Sequence, residues 1–238
     1  MYLSDDVFNR PTSFSMHSRQ RAYNEMLRGA RPFSELSAGD KKSFLDEVAA
    51  YREHVEGILT TRGAEETVGA LRKLVEEYIQ CLCSVAFPSR NDIRIHTHEA
   101  QETGDDRSIF SEPRGSKTVV GRVMISGSPY IDNHLQGDGG RVSVAEKRTV
   151  RGYTEICAPL YDDTISLPVD PFKECCPPHG THYGLMVGFN KIGPDSKPVQ
   201  PSPPVPSGFS TRDLLLLDTT ALLAGPAIHQ WLEEKGYL

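Results

Sequence analysis

"VGFNKIGPDSKPVQPSPPVPSGFSTRDLLLLD", Val187 to Asp218, runs from an apolar stretch through a proline-rich segment into a leucine-rich one. Each part has a physical reading. "YGLMVGFNKI" (Tyr183–Ile192) is apolar almost throughout, which predicts a strand in the middle of a sheet. Ser210 stands where a helix N-cap belongs, and Asp213 falls at the third helical position, where the helix dipole favours an acid. Phe209, just ahead of the cap, suits a hydrophobic staple. Lys191, leaving the strand toward that helix start, would meet the Asp213 carboxylate. Asn190, Lys191, Phe209 and Asp213 are therefore expected to clamp the strand end to the closing helix. That helix begins near Thr211, carries Leu214, Leu215, Leu217, Leu222, Leu223, Ile228 and Trp231, and is expected to kink at Gly225-Pro226.

Working back toward the N-terminus, Ser37 caps a predicted helix reaching about Thr60, with Phe44, Val48, Tyr51 and Val55 at three- and four-residue steps. A second helix starts near Glu65, and Val68, Leu71, Val75 and Leu82 repeat the apolar face. At Cys83 the period changes. "CSVAF", the turn composition "PSRND" and the alternating "IRIHTH" together read as a hairpin. His96 and His98 then fall on one side of a strand and are expected to be exposed. A polar loop, "EAQETGDDRS", follows. "TVVGRVMISGSPYID" (Thr118–Asp132) predicts a short helix ended by Ser126-Gly127 and an extended piece at Tyr130-Ile131. "TEICAPLYDD" (Thr154–Asp163) predicts a strand and a turn. The fold class is α+β: an antiparallel sheet with helices packed on one face, the N- and C-terminal helices adjacent. Residues 1–36 are read as a poorly ordered or docking arm, and 37–238 as the domain.

The 238 residues carry a net charge of −6. No basic excess exists to displace phosphate counterions, which argues against a nucleic-acid polymer as partner. No stretch reaches the ~20 apolar residues that cross a bilayer, and "MYLSDDVFNRPTSF" is too acidic for a signal peptide. Five scattered cysteines suit reduced thiols in a cytoplasmic protein. "CCPPHGTH" (Cys175–His182) lacks the usual Cys-x2-Cys spacing of a zinc site, so no metal is expected there. No nucleophile elbow or phosphate-binding glycine loop occurs, so no catalytic residue is assigned.

The order of pieces resembles the GAF domain, and in particular the regulatory GAF domains of cyclic-nucleotide phosphodiesterases, over roughly residues 65–231. "VVGRVMISGSPYID", "TEICAPLYDD", "GLMVGFNKI" and "FSTRDLLLLDTTALLAGPAIHQWLEE" are each similar to a family segment. Asn190, Lys191, Phe209 and Asp213 match the family's dispersed Asn-Lys…Phe…Asp-Glu signature, with Leu214 in place of the Glu. The resemblance implies a non-catalytic regulatory unit of a phosphodiesterase or another signalling protein. It implies a small ligand, cyclic AMP or cyclic GMP being the candidates, no other cofactor, and a homodimer formed through the terminal helices. Mapped onto this chain, its pocket is lined by Ser84, Val119, Val120, Asp132, Asn133, Tyr153 and Thr154. Two alternatives stand beside this one. The first is a ligand-free fold that serves dimerisation or protein docking, with the prolines of 194–206 facing the partner. The second is an enzyme like the free methionine sulfoxide reductases, which share the fold and would here work through Cys157 and Cys83.

Overall fold

The computed structural model describes residues 38–61, 63–90, 92–97, 109–113, 118–127, 129–132, 154–163, 181–189 and 208–238. In chain order the elements are α1 (Ala38–Thr61), α2 (Ala64–Ile79), β1 (Leu82–Pro88), β2 (Asp92–Thr97), β3 (Ile109–Pro113), α3 (Val119–Ser126), β4 (Tyr130–Asp132), β5 (Glu155–Tyr161), β6 (His182–Phe189) and α4 (Thr211–Glu234). The six strands form one sheet in the order β3-β2-β1-β6-β5-β4, every neighbouring pair antiparallel. The apolar run at 183–189 is central, as its composition predicts, between β1 and β5. β3 has no counterpart in the sequence reading, which has only a polar loop ahead of it.

Local chemistry explains the element ends. Thr118 caps α3, its hydroxyl accepting from Gly121 N at 3.0 Å. Gly127 ends that helix at φ 58°, the left-handed conformation a glycine adopts without a Cβ penalty, and its N–H reaches Val123 O at 2.7 Å. Ser210 and Asp213 form a reciprocal capping box on α4: Ser210 N donates to Asp213 Oδ2 at 2.8 Å, and Asp213 N donates to Ser210 Oγ at 3.3 Å. α4 runs on through Pro226 to Glu234.

Two apolar layers flank the sheet. α1, α2 and α4 make the expected helical layer on one face, where Tyr51, Leu71, Val75, Leu216, Ile228 and Trp231 pack against Val85, Phe87, Ile156 and Met186. The Tyr51 and Thr220 hydroxyls meet at 2.7 Å inside it, tying α1 to α4. α3 lies over the opposite face, with Val119, Val120, Val123 and Met124 packed on Ile95, Leu185, Val187 and Phe189. Among the described residues no helix is long and apolar enough to cross a membrane. Residues 1–36 and 194–206 lie outside the described residues.

Candidate functional site

Strand alternation gives the two sheet faces different chemistry. On β1, Cys83, Val85 and Phe87 point into the helical layer, whereas Ala86 belongs to the α3 side. Ser84 pairs with Val187 and shares that side. On β5, Ile156, Ala158 and Leu160 point into the helical layer, and Cys157 lies under α3. Glu155 pairs with Phe189 and so takes the same side as Cys157. The Cys157 thiol donates to Glu155 Oε1 at 3.5 Å. The α3 side thus carries a hydroxyl, a carboxylate and a thiol among aliphatic side chains. Ser84 is 3% exposed and Glu155 0%.

α3 roofs this face. Its Val119 and Val120 are buried on the side that meets the sheet. Arg122 stays at the rim, its Nη1 donating to the Tyr130 hydroxyl at 3.3 Å and its guanidinium 5.2 Å from that ring's centroid. Of the residues expected to line a pocket, Val119 and Val120 belong to this roof, and Ser84 shares the sheet face by its pairing with Val187. Thr154 is fully buried just ahead of β5. Asp132 pairs in register with Glu155 at the sheet's end. Asn133 and Tyr153 lie outside the described residues, as do Asn190 and Lys191.

The described half of the clamp has its own partners. Phe209 is buried in the helical-layer core. It lies over Gly188 of β6, where an added Cβ would come within 3.8 Å of its ring and within 3.0 Å of Cys81 Sγ. Asp213 is buried and closes the capping box. Its neighbour Arg212 has a role that the sequence reading does not assign. Arg212 pairs with Glu47 of α1, donates to Tyr78 O at 3.3 Å and lies 3.4 Å from Asp213 Oδ1. These carboxylates raise its pKa, led by the hydrogen bond to Glu47 and opposed by partial burial.

The helical side holds polar groups of its own. His96, expected to be exposed, is only 4% exposed. The reason is tertiary: β2 is second from the sheet edge, and α2 and α4 close over it. Arg72 Nη2 donates to His96 O at 2.9 Å, and the His96 ring stands edge-on to Trp231 with centroids 5.1 Å apart. His98 lies outside the described residues. Burial lowers the Arg72 pKa to about 10, against the raising influence of Cys83 and Glu76. Burial pushes the Cys83 thiol up to about 12, with Arg72 opposing and Glu76 reinforcing the shift. Cys83 and Cys157 therefore occupy opposite faces, and Cys83 is held in its unreactive protonated form. Among the described residues no group of three His, Cys, Asp or Glu side chains could hold a metal ion.

Glu155 is the buried polar residue of the α3-covered face that sequence reasoning missed. Its signal was faint: it stands two positions before Cys157 in a strand whose other members are nearly all apolar, so the period-two alternation that would place it is hidden.

No protein-family model and no curated protein matches the chain. Among solved structures it is similar to the GAF domain of a phosphoenolpyruvate-protein phosphotransferase from Coxiella burnetii, at 9% identity and a TM-score of 0.51, over 82% of this chain and 97% of that one. It is also similar to the GAF domain of the Acinetobacter phosphoenolpyruvate-protein phosphotransferase, at 11% identity and a TM-score of 0.46, over 82% and 96% of the two chains. The free methionine-R-sulfoxide reductase of Neisseria meningitidis gives 12% identity and a TM-score of 0.48, over 78% and 93%. At such identities the likeness is one of backbone, and what it shows is that this chain has the GAF fold.

Proposed function

We propose that this domain is a regulatory, non-catalytic module that binds a small ligand on the α3-covered sheet face and signals through its terminal helices. The carrying observation is the asymmetry of the sheet. One face is closed by three helices in a broad apolar core, and the other is roofed by the eight residues of α3 and carries Ser84 and Glu155. Buried hydrogen-bonding groups in an apolar wall are what orient a small heterocycle. The ligand class is a cyclic nucleotide, cyclic AMP or cyclic GMP, a choice supported by the sequence resemblance to phosphodiesterase GAF domains. The domain acts in the cytoplasm as a homodimer. A two-cysteine reductase reading is disfavoured by the placement of Cys83 and Cys157 on opposite faces.

Isothermal titration and thermal denaturation with cyclic AMP and cyclic GMP test the proposal. Binding adds stability by mass action, so the favoured nucleotide raises the midpoint in proportion to the logarithm of its concentration. Ser84→Ala removes one hydroxyl from the face and is expected to weaken binding roughly tenfold, the scale of one net hydrogen bond. Absence of both heat and a stability shift at millimolar nucleotide overturns the cyclic-nucleotide assignment.

A further inference from the structure

One residue touches both the roof of the ligand face and the closing helix. The Tyr161 hydroxyl donates to the carbonyl of Gly127, the C-cap of α3, at 3.3 Å. The backbone of the same residue lies against α4 at Gly225, so closely that a methyl there would overlap the Tyr161 carbonyl. A register shift between Leu160 and Tyr161 falls at this point of the sheet.

Gly225 is also where α4 is weakest. Pro226 has no N–H to give to the Leu222 carbonyl, so the helical ladder lacks a rung there. The Gly225 carbonyl in turn takes a hydrogen bond from the Tyr183 hydroxyl at 2.5 Å. Beyond the break, α4 carries Trp231 and Leu232 into the helical-layer core. A helix interrupted in this way has a place to bend, and the sheet grips it at that place.

We propose that Tyr161 is a positioning residue that links α3 to the Pro226 joint of α4. Displacement of the roof over the ligand face moves the Tyr161 ring, and the attached peptide shifts the helix where its ladder is broken. The inference deepens the ligand-face reading and rests on it for its biological sense, but its test needs no ligand and so stands or falls separately. The carrier is a contiguous chain of contacts with a joint at its end, one physical form in which coupling between sites can travel.

The test loosens α3 at its far end and reads α4. Thr118→Val deletes the side-chain cap of α3 without touching Tyr161. Amide hydrogen exchange of the intact chain is followed in α3, in residues 227–232 and in α2, together with acrylamide quenching of Trp231, the chain's single tryptophan. The expected result is exchange on the order of fivefold faster in α3, the scale of a lost cap. A smaller rise at residues 227–232, readier quenching of Trp231 and unchanged α2 should accompany it. In a Tyr161→Phe background Thr118→Val should still loosen α3 but leave residues 227–232 and Trp231 unmoved. If Phe does not fold at this position, Tyr161→Met serves as the second hydroxyl-free background. The proposal is overturned if residues 227–232 stay silent, if they move only in step with α2, or if their response survives loss of the hydroxyl.

Discussion

Gly225→Ala puts the contact between α4 and β5 to a quantitative test. In an ordinary helix interior this exchange is favourable by about 1 kcal/mol, because alanine has less backbone freedom to lose on folding. Here the new methyl meets the backbone of Tyr161, with the carbonyl oxygen overlapped and the carbonyl carbon and amide nitrogen each at 3.1 Å. A backbone group cannot rotate aside as a side-chain tip can, so α4 must back away from the sheet. Overpacking of this kind costs about 1–3 kcal/mol. The retreat also stretches the buried bond from Tyr183 to the Gly225 carbonyl, at roughly another 1–3 kcal/mol when a buried group is left unsatisfied.

Set against the propensity gain, the net expectation is a loss of about 1–5 kcal/mol. At this chain length each kcal/mol is a fall of roughly 2–4 °C in the thermal midpoint. Gly57→Ala is the matched control. Gly57 is exposed in α1, and nothing lies within 4 Å of its added Cβ. The control should stabilise by about 0.5–1 kcal/mol. Calorimetry and urea titration of both variants measure the difference. A Gly225→Ala protein as stable as the parent, or more stable, refutes the close approach and with it the grip at the Pro226 joint.

His182 lends the domain a pH dependence. Burial depresses its imidazole to about 4, the hydrogen bond to the Gly184 carbonyl opposing, whereas the unfolded ring titrates near 6.5. Above both values the ring is neutral in either state and contributes nothing. As pH falls from about 6.5 to 4 the unfolded chain gains a proton that the native state refuses, so stability drops, on the order of 1–3 kcal/mol. His182→Gln should show a shallower loss in urea titrations between pH 7 and 4.5, and an identical slope in both proteins would count against the assignment. Cys83 should resist alkylation by iodoacetamide at pH 8 in the folded protein and react on unfolding, since its thiol is held near 12; mass spectrometry that finds it labelled in the native state contradicts its placement. Ser210→Ala breaks the α4 capping box and should cost about 1 kcal/mol by urea titration, while an unchanged midpoint would show that the box contributes nothing.

How much of this was readable without coordinates depends on how far apart the partners lie. Wherever a residue's role is fixed by its near neighbours, period and composition were enough. The α2 face, the β1–β2 hairpin, the Thr118–Gly127 helix and the Ser210–Asp213 cap all follow from spacings of four residues or fewer. β3 escaped because an edge strand has only one neighbour to satisfy, and "IFSEP" offers too few apolar positions to stand out after a polar run. His96 escaped for a different reason. Its strand alternation correctly separated it from Ile93 and Ile95, but a polar side chain opposite an apolar one reads as solvent-facing unless something covers it. The cover is Arg72 from α2 and Trp231 from α4, neither predictable from the strand itself.

The same limit bears on the α3-covered face, where a single-residue register slip would exchange the two chemistries of the sheet. Moving β1 by one position would carry Ser84 into the helical layer and Cys83 under α3. In the observed register Ser84 pairs with both Val187 and Thr97. The glycines of β6 make the pairing hard to shift: an added Cβ at Gly188 would strike Ile156 Cγ2 at 2.7 Å, and one at Gly184 the Ala86 carbonyl at 2.8 Å. The closeness that holds β1, β5 and β6 in register is thus also what assigns Ser84, Glu155 and Cys157 to the face beneath α3. At Tyr161, the end of the same β5, close approach passes from sheet to helix, and there the two faces come within reach of one residue.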